Sequence, residues 1–219
     1  MEFFGEYYHI FNRGVEKRKI FCSHRDFKRF IVSLREFNNY DLGSLRDRLD
    51  LKSSLGSTQG EKDSPWVEPK EDEKLVEIVA YCLNPNHYHL IVKEVCDQGV
   101  SKFIHRLATG YTGYFNKKYE RTGALFQGRH KKVEITSNAQ LLYLSAYVNA
   151  NYYIHKIEKF GKWEYSSLLD YIGNRKGNLC FKSDILEQFA GNKKDYEIFC
   201  KKTCDDIKER RDFAQFLLE

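Results

Sequence analysis

Hydrophobic and polar positions along the chain change period several times, and each change predicts an element. Over Glu6–Arg13 (EYYHIFNR) the alternation has a period of two, with Tyr8, Ile10 and Asn12 on one face and Tyr7, His9, Phe11 and Arg13 on the other. Gly14 ends this strand. From His24 to about Tyr40, Phe27, Phe30, Ile31 and Leu34 recur at the three-and-four spacing of a helix that buries one stripe. Residues 41–72 lose periodicity; they are rich in Gly, Ser, Asp, Lys and Glu with Pro65 and Pro69, which predicts an exposed insertion with a short helical piece near Leu45–Leu51. Lys74–Leu83 and His87–Val95 read as strands joined by the turn formers Asn84-Pro85-Asn86, hence an antiparallel hairpin. A helix is predicted from Val100 to Tyr119, short strands at Ala124–Phe126 and Lys131–Ile135, and a helix from Asn138 to Ile154. This order is that of an α+β fold, an antiparallel sheet with helices packed on one side. Beyond Trp163 short helices are predicted at Tyr165–Ile172 and Ser183–Ala190 and a longer one at Lys194–Leu218, evenly charged as a solvated appendage would be.

Composition narrows the class. A chain of 219 residues with 42% hydrophobic content supports one cored domain plus an appendage. The net charge of +5 is compatible with nucleic acid without identifying it, so the placement of charge matters more. The six cysteines form no C-x-x-C pair, which argues against a zinc or disulfide scaffold and for reduced thiols. No apolar run approaches a membrane span and no signal-peptide core is present, so the expectation is a soluble cytoplasmic protein with no membrane partner.

Three groups of residues carry candidate chemistry. His87 and His89 alternate with Tyr88 and Leu90, so both imidazoles leave one face of a strand and can hold one divalent metal. In the Asn138–Ile154 helix, Leu141, Leu144 and Val148 form the apolar stripe, while Tyr143, Tyr147 and Asn151 fall at i, i+4 and i+8 on another side. A phenol is a nucleophile and a carboxamide oxygen a neutral ligand; the periodicity leaves Tyr143 and Tyr147 both open. Across residues 97–132, Lys102, Arg106, Lys117, Lys118, Arg121, Arg129, Lys131 and Lys132 face only Asp97 and Glu120, a basic run interleaved with aromatics that suits single-stranded DNA. Arg13 is a further basic candidate beside the first strand.

Five blocks, YHIFNRG, YCLNPNHYHLIV, GALFQGRHKKV, LLYLSAYVNAN and WEYSS, occur in an order that resembles the single-tyrosine HUH transposases, more narrowly the REP-associated tyrosine transposase branch of the insertion-sequence family. The resemblance covers about residues 6–173 and implies a ferredoxin-like catalytic domain over 1–173, with 174–219 a helical C-terminal extension. It implies that His87 and His89 are metal ligands with Asn151 as a third and that Tyr147 is the nucleophile, while the placement of basic charge puts forward Arg13, Lys102, Arg106, Arg129, Lys131 and Lys132 as the residues that meet DNA. The implied reaction is metal-dependent (Mg²⁺ or Mn²⁺) cleavage and rejoining of single-stranded or hairpin DNA through a 5′-phosphotyrosine. Monomer and homodimer both remain open. In one departure, Tyr152 stands where this branch commonly has proline, which predicts a longer helix and an altered loop beyond it. Competing readings are an HUH replication-initiator nickase and a domesticated hairpin-binding protein. A histidine-dependent nucleotide hydrolase fits poorly, since Ile91 stands where a third histidine would be wanted.

Overall fold

A computed structural model describes residues 6–39 and 74–216, with side chains as far as residue 210. The predicted insertion over 41–72, including its short helix near Leu45–Leu51, lies outside the described residues.

The hairpin forms as the turn residues dictate. β2 (Val76–Asn84) and β3 (His87–Glu94) pair antiparallel, β1 (Glu6–Arg13) lies against the other edge of β3, and β4 (Lys131–Ile135) completes the order β2-β3-β1-β4. Gly14 ends β1 where the chain passes itself closely: its N–H donates to Asn86 O, and a Cβ there would lie 2.3 Å from Arg18 O. No side chain fits in that space.

Helices α1 (His24–Glu36) and α2 (Gly99–Lys118) cover one face of the sheet. Their Phe27, Phe30, Leu34, Phe103 and Leu107 pack with Ile10, Tyr88, Leu90 and Val92. α1 starts where Asp26 Oδ2 accepts the backbone N–H groups of Cys22 and Ser23, satisfying donors a helix start otherwise leaves open.

The antiparallel α+β sheet is as expected, but the helices cover both faces rather than one. Ala80, Cys82 and Ile91 are fully buried on the second face, where they meet α3 (Asn138–Asn149), α4 (Asn151–Ile154) and the C-terminal α7 (Lys193–Phe216). Between them lie two one-turn helices, α5 (Leu168–Tyr171) and α6 (Ser183–Leu186). The expected solvated appendage is therefore half wrong. Charge is even along α7, but Tyr196, Cys200 and Cys204 at helical spacing are fully buried against α3. Two further expectations shift: the strand at Ala124–Phe126 reduces to a single bridge between Phe126 and Gly14, and the 138–154 helix breaks at Ala150. Among the described residues no helix is long and apolar enough to cross a membrane.

Candidate active site

Sheet register assembles the site. Phe11 stands opposite His89 and Arg13 opposite His87, while on the other side of β3 Cys82 pairs with His89 and Asn84 with His87. Directly opposed residues share a face, so His87, His89, His9, Asn84, Phe11 and Arg13 all point toward α3 and α4. This is the face the second helical layer covers, and it leaves the histidine end of the sheet open.

The break at Ala150 brings the helix residues to meet them. Asn149 caps α3 from within: its carbonyl accepts from Ser166 Oγ, its Oδ1 from Ser167 Oγ, and its Nδ2 donates to Tyr196 Oη. The chain then restarts as α4 with Asn151 in its first turn. Tyr152, expected to prolong the helix, is instead buried in this single turn, where its hydroxyl accepts from Gly161 N.

Asn151 Oδ1 lies 3.2 Å from His87 Nε2 and accepts a 2.6 Å hydrogen bond from Asn84 Nδ2. Asn84 Nδ2 also lies 2.8 Å from His87 Nε2, which therefore carries the lone pair. The proton then sits on His87 Nδ1 and is donated to Asn86 Oδ1 at 2.7 Å. His89 Nδ1 is 3.0 Å from His9 Nε2, and burial pushes His9 down to about 4, keeping that imidazole neutral. Tyr147 sits edge-on over this pair, its ring centroid 5.5 Å from that of His89 and 6.1 Å from that of His9. Tyr143, one turn earlier, is 47% exposed.

These residues fit a divalent cation in the chemistry of their donors. Asn151 holds its amide oxygen toward His87 and the Asn84 amide, while its Nδ2 is buried with no hydrogen-bond partner, so the oxygen is the atom this side chain offers to the site. Neutral imidazole and amide groups leave the charge of an ion to be balanced by a phosphate. Among the described residues no group of three or more His, Cys, Asp or Glu side chains could hold a metal, so an acidic or thiolate-rich site is not offered.

A cleft of about 910 Å³ opens beside the histidines, lined by Phe11, Arg13, Lys17, Arg129, Lys131 and His155 among others. The structure thus divides the predicted DNA-binding residues. Arg13, Arg129 and Lys131 line the cleft. Lys102 and Arg106 lie on α2, across the sheet, where Lys102 Nζ donates to Asp97 O and Arg106 Nη1 to Asn39 O. Lys132 also projects to that side, 3.7 Å over the Tyr8 ring, because neighbours in a strand point to opposite faces. Sequence reasoning missed His9, read only as a strand residue, and Asn84, read only as a turn former. The alternation placed His9 on the Arg13 face, but nothing in the sequence supplied the register that sets it against His89.

The four-stranded antiparallel sheet, with this cluster at one end, defines an α+β domain with a histidine–amide–tyrosine face. Residues 65–151 match the family model described as Transposase IS200 like, which supports the kinship with single-tyrosine transposases read from the sequence. Among solved structures, one described as a REP-associated tyrosine transposase bound to a REP hairpin has 13% identity and a TM-score of 0.49, over 84% of this chain and 93% of that one. No curated protein matches the chain.

Proposed function

We propose that the chain is a metal-dependent transposase that cleaves and rejoins single-stranded DNA near hairpins, with Tyr147 as nucleophile. The observation that carries this reading is the convergence, inside a matched transposase segment, of Tyr147, His89, His87 and Asn151 on one sheet face. His87, His89 and Asn151 would hold Mg²⁺ or Mn²⁺, nitrogen ligands favouring Mn²⁺. The chemistry such an ion supplies when bound is withdrawal of negative charge from the scissile phosphate.

The chain's own residues do the rest. Tyr147 Oη attacks phosphorus; an O–P bond to tyrosine forms as the P–O3′ bond breaks, and the phenolic proton is balanced by protonation of the released 3′ oxygen. The DNA 5′ end is then held as a phosphotyrosine. One phosphodiester replaces another, so a second 3′-OH can reverse the step into joining without ATP. Arg13, Arg129 and Lys131 would neutralise backbone phosphates in the cleft.

The test is an SDS-resistant adduct on single-stranded hairpin oligonucleotides with Mn²⁺. Tyr147→Phe should eliminate the adduct and Tyr143→Phe should retain it. Hairpin binding with no adduct from the wild type under any divalent ion would favour the domesticated binding protein instead. A nucleotide mapped by mass spectrometry to Tyr143, Tyr152 or Tyr153 would overturn the assignment.

A further inference from the structure

Asn84 closes β2 with its side chain fully buried and turned toward His87 and Asn151. Its Nδ2 atom, His87 Nε2 and Asn151 Oδ1 form a triangle with sides of 2.6, 2.8 and 3.2 Å. Two of these corners are electron-pair donors aimed at one point, and the third is an N–H group that satisfies both. An amide N–H₂ is the group a protein places where two acceptors converge with no cation between them.

The triangle also has the dimensions of a coordination face. Ligand atoms on adjacent corners of an octahedron around a small divalent ion stand about 3.0 Å apart, for bonds of about 2.1 Å. Rotating the Asn84 amide by half a turn about its last side-chain bond exchanges Nδ2 and Oδ1 within the same volume. The oxygen then faces the site as a third lone pair. The displaced N–H₂ takes the place Oδ1 has now, 3.7 Å from Cys82 Sγ, a weak acceptor. No backbone movement is needed, and β2 remains paired with β3 through the Asn84–His87 register.

We propose that Asn84 is a further metal ligand of this site, its amide serving as a hydrogen-bonding stand-in that turns its oxygen inward when a divalent cation binds. This rests on the reading of His87, His89 and Asn151 as the metal-binding set and adds to it a ligand from the strand preceding the histidines. The resulting site is richer in neutral oxygen than two imidazoles and one amide would make it. That composition moves its preference toward harder ions such as Mg²⁺.

The experiment measures Mn²⁺ and Mg²⁺ binding to the DNA-free full chain by calorimetry, with Mn²⁺ binding checked by electron paramagnetic resonance and folding by circular dichroism. The variants are Asn84→Ala, Asn84→Asp and His87→Ala. If Asn84 is a ligand, Asn84→Ala weakens both ions about tenfold or more, an effect at least as large as that of losing a group behind a ligand. Asn84→Asp, which keeps the oxygen and adds charge, binds at least as tightly as the wild type and is raised in Tm by the ion. Unchanged or tighter binding by folded Asn84→Ala would make Asn84 a mere plug and overturn the proposal. Weaker binding by Asn84→Asp would show that the N–H₂ matters rather than the oxygen, and would overturn it too. If Asn84→Ala does not fold, the Asn84→Asp result alone decides. The underlying site fails separately: it falls if the wild type binds no ion or if His87→Ala binds normally.

Discussion

The behaviour of individual side chains here is set by what holds their second polar atom. His87 presents Nε2 because Asn86 Oδ1 takes the proton of Nδ1. His89 can present Nε2 in the same way only if His9 Nε2 accepts its Nδ1 proton across 3.0 Å. Replacing His9 by Phe keeps a ring under Tyr147 but removes the acceptor. Mn²⁺ affinity measured by calorimetry should then fall by about 10- to 100-fold, the usual cost of losing such a partner. Nitrogen-15 NMR of the metal-free protein should show His89 losing its Nδ1-protonated form, and an unchanged tautomer would remove His9 from this role. Strand and helix periods put His87 and His89 on one face and offered Tyr143, Tyr147 and Asn151 as candidates. The choice of Tyr147 and the ligand roles came from the resemblance, and the break at Ala150 was not in the pattern. The parts played by His9 and Asn84 were not legible in the sequence, since they arise from pairing register and from the direction of one amide.

Elements matter here through the ties between them. α1 and α2 are joined by Asp26, a fully buried carboxylate. Burial raises its proton affinity, but hydrogen bonds from Lys118, Tyr119, the Cys22 amide and Tyr114 outweigh this and hold it at about 2. A depressed carboxylate stabilises the fold fully above its unfolded value near 3.8, and that contribution fades as pH falls toward 2. Urea unfolding between pH 5 and 2 should therefore show a steep acid limb in the wild type and a shallower one in Asp26→Asn. Asp26→Ala, which removes the acceptor shared by Lys118 and two tyrosine hydroxyls but leaves Lys118 part-exposed and bonded to Ser23 Oγ, should cost about 1–3 kcal/mol at neutral pH. On the opposite face α7 ties the helix that carries Tyr147. Tyr196 Oη accepts from Asn149 Nδ2 and donates to Ser145 Oγ, and the Cys200 and Cys204 thiols both point at Ala146 O. The charge pattern of 194–218 hid this contact, because a stripe of one tyrosine and two cysteines is too narrow to stand out from an evenly charged helix.

At the scale of the molecule, the sheet separates two surfaces that the sequence ran together as one basic stretch. Arg13, Arg129 and Lys131 share the cleft with the histidines, whereas Lys102, Arg106 and Lys132 lie across the sheet. Neutralising the first three should reduce the salt slope of single-strand binding by about 2, at about 0.7 per lost phosphate contact. Neutralising the second three should leave the slope unchanged, and equal effects from both sets would place the DNA elsewhere. The same architecture bears on whether one chain suffices for cleavage. The chain that supplies His87, His89 and Asn84 also supplies Tyr147 and Asn151, because α3 and α4 are fastened by α7 and by Ser166 and Ser167 to their own sheet. Ser167 Oγ alone accepts from Tyr81 N of β2 and donates to Asn149 Oδ1 of α3. Lending the tyrosine helix to a second copy would first break these buried bonds together, and because the partner's body would remake them the cost falls on the barrier to exchange. With that barrier in place, the proposed cleavage should be in cis. Mixing His87→Ala chains with Tyr147→Phe chains should yield no adduct at any ratio, since neither chain holds a complete site. Recovery of about a quarter of wild-type adduct in an equimolar mixture, as random exchange of helices within dimers would give, would show instead that the helix leaves its own body.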